Sequence, residues 1–127
     1  MNEITDESIK EFLFKEKLDF NPTHSKLSIP VINRIYKKLV NGIRFDEIKV
    51  NGNLIIDGHH RYISSMISKI EIGYRNYPKT SATSEFDWKE VKFVNEEWDT
   101  LDKIQYLNEL DAKHNNIPLE KLISFNK

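Results

Sequence analysis

Residues 54–67 read LIIDGHHRYISSMI. An apolar run stops at Asp57, then Gly58, His59, His60 and Arg61 follow, and apolar residues resume at a different spacing. Two of the chain's four histidines stand side by side here. An imidazole has an unperturbed pKa of about 6.5, so it can donate when protonated or act as acid and base near neutrality. The arginine fork matches the geometry of a phosphate. A glycine lets the backbone turn sharply and approach a ligand closely. If the run opens a helix, its unpaired N–H groups and positive dipole end add affinity for an anion. These residue types point to phosphate, held by Gly58, His59, His60 and Arg61, with His59 and His60 as acid–base groups. The plainer alternative makes Asp57 the helix cap, Gly58 a turn residue and one histidine a packing residue. A cap needs neither two histidines nor an arginine, and a cation in the first turn opposes the helix dipole, which favours a functional site.

Metal chemistry has a weaker basis. His24, His59, His60, His114 and Asp57 supply imidazole and carboxylate. Neighbours on a helix point about 100° apart, so His59 and His60 are poorly placed to share one ion. The chain has no His-x-x-x-His pair. No metal site built by protein alone is expected; a magnesium ion carried by a nucleotide and touched by Asp57 fits better. The absence of cysteine removes disulfides, thiolate metal sites and thiol nucleophiles.

The elements that must position these residues are legible from period and punctuation. Thr5 and Asp6 predict a helix over about 6–17, with Ile9, Phe12 and Leu13 on one face. LDFNPTHSKLSI is irregular, with a turn signal at Asn21-Pro22. Ser28 and Pro30 open a helix whose stripe is Val31, Ile35 and Leu39, closed by Asn41-Gly42. DEIKV and NLIID form a hairpin around Asn51-Gly52, a turn expected to need positive φ at both positions. Ile63, Met66, Ile67 and Ile70 predict a helix over about 59–69. IEIGYRNY alternates as a strand, PKTSATSEFD is a polar loop long enough for a lid, and WKEVKFV is another strand. Thr100 caps a helix ending near Asn115-Asn116, and Pro118 opens a short last one.

The whole chain, 127 residues with 39% hydrophobic residues, suits one α+β domain with a core. Its net charge of −1 gives no bulk drive toward nucleic acid, although a local basic patch is compatible with it. No apolar run approaches the roughly 18 residues of a membrane span. The acidic start of MNEITDESIKEFLF is unlike a signal peptide. A cytoplasmic protein with no membrane partner is the expectation.

Residues 44–67, RFDEIKVNGNLIIDGHHRYISSMI, resemble the core of the ParB/sulfiredoxin-like superfamily. LDFNPTHSKLSIPVINRIYKKL is similar to that family's first box, an irregular strand with an Asn-Pro pair followed by a helix. The resemblance covers about residues 18–78, leaving an additional strand and C-terminal helices in 79–127. It implies a short mixed sheet packed with helices. It also implies that Gly58, His59, His60 and Arg61 cradle the phosphates of ATP, ADP or CTP with magnesium, or of nucleic acid. Asp57 would orient a catalytic group or metal, and Thr23 and His24 would face the same cleft. The loop lacks the cysteine of sulfiredoxins, so sulfinic-acid reduction is excluded. His24 stands where the related serine kinase has a glutamate base. A chromosome-partition role would need the additional DNA-binding helices of a longer chain.

The expected function is therefore an enzyme acting on a nucleotide or nucleic-acid phosphate, by nucleotide hydrolysis, phosphoryl transfer or nuclease action. Tyr74, Tyr77, Phe86 and Trp88 could stack on a base, but aromatics in alternating strands are more often core, and core packing is the favoured reading. A second expectation is a non-catalytic module that binds a nucleotide as a switch. A third concerns context: a C-terminal toxin domain of a bacterial competition system, delivered to a target-cell cytoplasm and paired with an immunity protein.

Overall fold

A capping box starts the chain's first helix, α1 (Asp6–Lys15). The Thr5 side chain accepts the Ser8 N–H, and the Ser8 hydroxyl accepts the Thr5 N–H. The computed structural model describes residues 3–125. After α1 come β1 (Lys26–Ser28), α2 (Ile29–Val40), β2 (Ile48–Asn51), β3 (Leu54–Asp57) and α3 (His59–Ser68). Then follow β4 (Tyr74–Asn76), a 3-10 turn (Trp88–Glu90), β5 (Lys92–Val94), α4 (Leu101–His114) and α5 (Leu119–Ser124). The fold is α+β with short mixed sheets. β2 lies between antiparallel β3 and parallel β4, while β1 and β5 form a separate parallel pair.

The hairpin forms, but its turn is Gly52-Asn53 rather than Asn51-Gly52. Asn51 pairs with Leu54 as the last rung. Of the turn residues only Gly52 has positive φ, at 59°. That is the pattern of a turn with glycine at its first central position, so the expectation of positive φ at both positions was wrong. The strand expected over IEIGYRNY begins only at Tyr74. Lys69 ends α3 in the left-handed region and Gly73 has φ 87°, so the backbone between them cannot run extended throughout. In WKEVKFV, Asp87 and Glu90 close a capping box around the 3-10 turn, leaving a strand of three residues.

One core gathers Ile9 of α1, Ile32 of α2, Val50 and Ile55 of the sheet, Ile63 of α3, and Trp88 and Phe93 near the chain's second parallel strand. Fully burying an aliphatic side chain of this size contributes about 1.5–3 kcal/mol. Small residues let α3 lie close on α2: Ser64 is fully buried and donates to the Ile32 carbonyl at 3.0 Å. A smaller cluster, Ile43, Ala112 and Leu122, seats α4 and α5 against the segment after α2. The two clusters fix α2 and α4 independently, which leaves room between them.

Candidate functional site

α3 begins at Gly58, whose φ of 97° only glycine adopts readily. Asp57 is therefore not the cap, and no side chain caps this helix. Its first-turn N–H groups lie where Gly58, His59, His60 and Arg61 line a cleft of about 800 Å³ between α2, the start of α3 and α4. A Cβ at position 58 would sit 2.8 Å from Arg61 Nη2 and 2.9 Å from Ile48 Cγ2. The arginine tip can move, but Ile48 is buried core. Gly58→Ala is expected to cost about 2–3 kcal/mol from the left-handed backbone and the forced repacking, measured by urea denaturation.

The two histidines have work that the sequence did not disclose. His59 Nε2 accepts the Thr23 N–H at 3.0 Å, and His60 Nε2 accepts the Ser28 N–H at 3.0 Å. The pair thus ties both ends of segment 23–28 to the start of α3. An acceptor nitrogen carries no proton, so both neutral rings hold their proton on Nδ1. Burial holds the His59 pKa down at about 3, helped by the charges of His24 and His60. Burial also holds His60 down at about 4, with His24 and Arg34 adding to it and Asp99 opposing. The expectation of an ordinary value near 6.5 is corrected: in this setting both are neutral hydrogen-bonding groups at neutral pH, not proton donors.

Arg61 curls back over Gly58. It donates to the Asp46 carbonyl at 3.1 Å and lies 3.7 Å from the Asp57 carboxylate. Asp57 is exposed and lines the cleft. His24 lines it too, its ring stacked on His59 at 4.0 Å between centroids. Thr23 does not: its hydroxyl donates to the Ile55 carbonyl at 2.6 Å, and its N–H serves His59. The expected cleft-facing role for Thr23 is thus replaced by a structural one.

No family model matches this chain, and neither does any curated protein or solved structure. The site must be judged on its own geometry.

The aromatics that could have stacked on a base lie elsewhere, and for Trp88 the favoured core reading holds. Trp88 is core, its indole N–H donating to the Phe20 carbonyl at 2.8 Å. Tyr74 packs edge-on against Phe20, and Tyr77 lies under the Lys49 ammonium. The polar loop carrying Phe86 is bonded to Asn21 and Pro22 and does not border the cleft among the described residues. The aromatics that do border it are Phe45 and Trp98, the latter 40% exposed and edge-on to His60. Three further lining residues were not singled out from sequence: Arg34, Lys38 and Arg44. Arg34 bonds Glu97 and, at 2.7 Å, Asp99; Lys38 is buried and bonds Asp111 at 2.8 Å. Among the described residues Arg44 has no ion-pair partner. Their periodic signal in α2, a charged residue at 34 and again at 38 beside the apolar stripe, reads as an ordinary solvated edge until α4 is in place. His114 lines the same cleft, but no three His, Asp or Glu side chains gather around one point among the described residues.

Among the described residues no helix is long and apolar enough to cross a membrane.

Proposed function

We propose that this chain binds the phosphate of a nucleotide or nucleic acid at the start of α3, the role its resemblance to ParB/sulfiredoxin-like proteins implies. The observation that carries this reading is an uncapped helix start on a left-handed glycine, flanked by Arg61 and opening into a cleft. Backbone N–H groups and the dipole favour an anion there. Arg61 adds charge, and Arg44 is an uncommitted cation on the same lining. A nucleotide's magnesium, when bound, would supply further neutralisation, with exposed Asp57 the carboxylate at hand.

Chemistry at the phosphate, whether hydrolysis, phosphoryl transfer or strand cleavage, would fall to His24 and Asp57. They line the cleft, and neither is tied up on a backbone amide as His59 and His60 are. The commitment of both Nε2 atoms also supports the second reading, a nucleotide-binding switch with little turnover.

The test is thermal unfolding with ATP, ADP, CTP, GTP and pyrophosphate, each with and without magnesium. A ligand at about 100 times its Kd should add about 2.7 kcal/mol, several degrees for a domain of this size. Arg61→Ala is expected to abolish most of that shift while the unliganded protein still melts cooperatively. No shift from any of these compounds, and none from short DNA or RNA, would sink the proposal. Turnover in the binding-competent protein that survives both His24→Ala and Asp57→Asn would refute their assignment.

A further inference from the structure

α2 is joined to α4 by Lys38 to Asp111, and to the segment just before α4 by Arg34 to Asp99. Apolar residues of both helices line the same cleft without closing it: Val31 and Ile35 on α2, Ile104, Leu107 and Leu110 on α4. Apolar rows held apart in this way stay wet unless something fills the gap. The same cleft is lined by the start of α3, by Arg61 with Asp57 beside it, and by Arg44, so it offers an anion-binding helix start and cations together with aliphatic walls.

We infer that the cleft takes a small phosphate ester with an apolar body, the phosphate at α3 and the body between α2 and α4. This rests on the phosphate reading above and narrows it. About 800 Å³ falls in the range of small-molecule sites. A nucleic-acid strand would instead need a track of free cations along its backbone. Here Arg34, Lys38 and Lys103 are each engaged by an acid within 3.3 Å, Arg61 has the Asp57 carboxylate at the longer 3.7 Å, and the chain's net charge is −1, so no such track of free cations exists among the described residues. The charged groups of the side walls are already paired with one another, Lys38 with Asp111 and both Arg34 and Lys103 with Asp99, so the body is selected by the apolar area of the rows between them rather than by a base-specific pattern. Phe45 and half-exposed Trp98 add aromatic surface to the lining.

The experiment measures binding of inorganic phosphate, 1-naphthyl phosphate and neutral 1-naphthylmethanol to the full chain by calorimetry, with a short single-stranded DNA as competitor. Naphthyl phosphate is expected to bind at least about ten-fold more tightly than phosphate, and more tightly than the neutral alcohol. Leu110→Asn, at an exposed position, and Leu107→Asn should shrink the ratio between the two phosphates, with circular dichroism confirming the fold. Equal affinity for phosphate and naphthyl phosphate overturns the inference and leaves the phosphate cradle standing. Equal affinity for naphthyl phosphate and the alcohol means the cleft is apolar only, and the cradle fails. Displacement of naphthyl phosphate by DNA at comparable concentration overturns the restriction to small esters.

Discussion

Acidification to about pH 5 is expected to remove about 4 kcal/mol of folding stability relative to mildly alkaline solution. The cause is the histidine pair. In the unfolded chain each takes up a proton as the pH falls through about 6.5. In the folded chain His59 and His60 resist protonation until about 3 and about 4, because both are buried and their Nε2 atoms face backbone N–H donors. Between these limits the unfolded state binds more protons, so stability falls as pH falls. At about pH 5 each histidine contributes about 2 kcal/mol of loss. That is a large share of the 5–15 kcal/mol typical of a domain. Urea midpoints across the range should drop steadily from about pH 6.5 downward. His60→Gln places a non-titrating oxygen where Nε2 accepts the Ser28 N–H, so it should remove about half of that slope. A wild-type profile flat down to about pH 5 would show that the two rings are not held neutral in the fold.

This behaviour was not visible in the sequence, and the reason is physical. Adjacent histidines at a helix start look like exposed acid–base groups when only the local run is considered. What neutralises them is a segment more than thirty residues earlier, whose backbone N–H groups need acceptors once β1 pairs with β5. That pairing is itself non-local: WKEVKFV reads as a strand, but KLS is a three-residue strand in an irregular segment and does not stand out as its partner. By contrast, the helices were legible because each carries its own period and cap: Thr5, Ser28 and Thr100 all accept a helical N–H as expected. The strand–glycine–helix junction was legible for the same reason. The placement of Asp57, Gly58, His24 and Arg61 on one cleft agrees with the residue types, whereas Thr23 turned inward because its hydroxyl found the Ile55 carbonyl. The polar loop read as a lid does not border the cleft among the described residues, since length and polarity say nothing about which side of the sheet a loop will occupy.

Lys38→Met is expected to cost about 3–5 kcal/mol and to weaken ligand binding as well. Lys38 is 4% exposed, and its ammonium meets the Asp111 carboxylate at 2.8 Å. Removing the cation leaves a carboxylate, itself only 20% exposed, facing the apolar tail of methionine. The cost is the stranded charge rather than the worth of the pair. Lys38→Met/Asp111→Leu should therefore recover most of the stability, a coupling that a double-mutant cycle in urea reads directly. Binding is expected to behave differently. This ion pair sets the spacing of α4 from α2, and with an apolar pair in its place Ile35 and Leu107 are free to approach and close the gap. The double variant should then be stable yet bind nucleotide more weakly than wild type. Full recovery of both stability and binding would mean that the spacing of α2 and α4 is set by the Ile43, Ala112 and Leu122 cluster alone. The ion pair would then have no part in shaping the cleft.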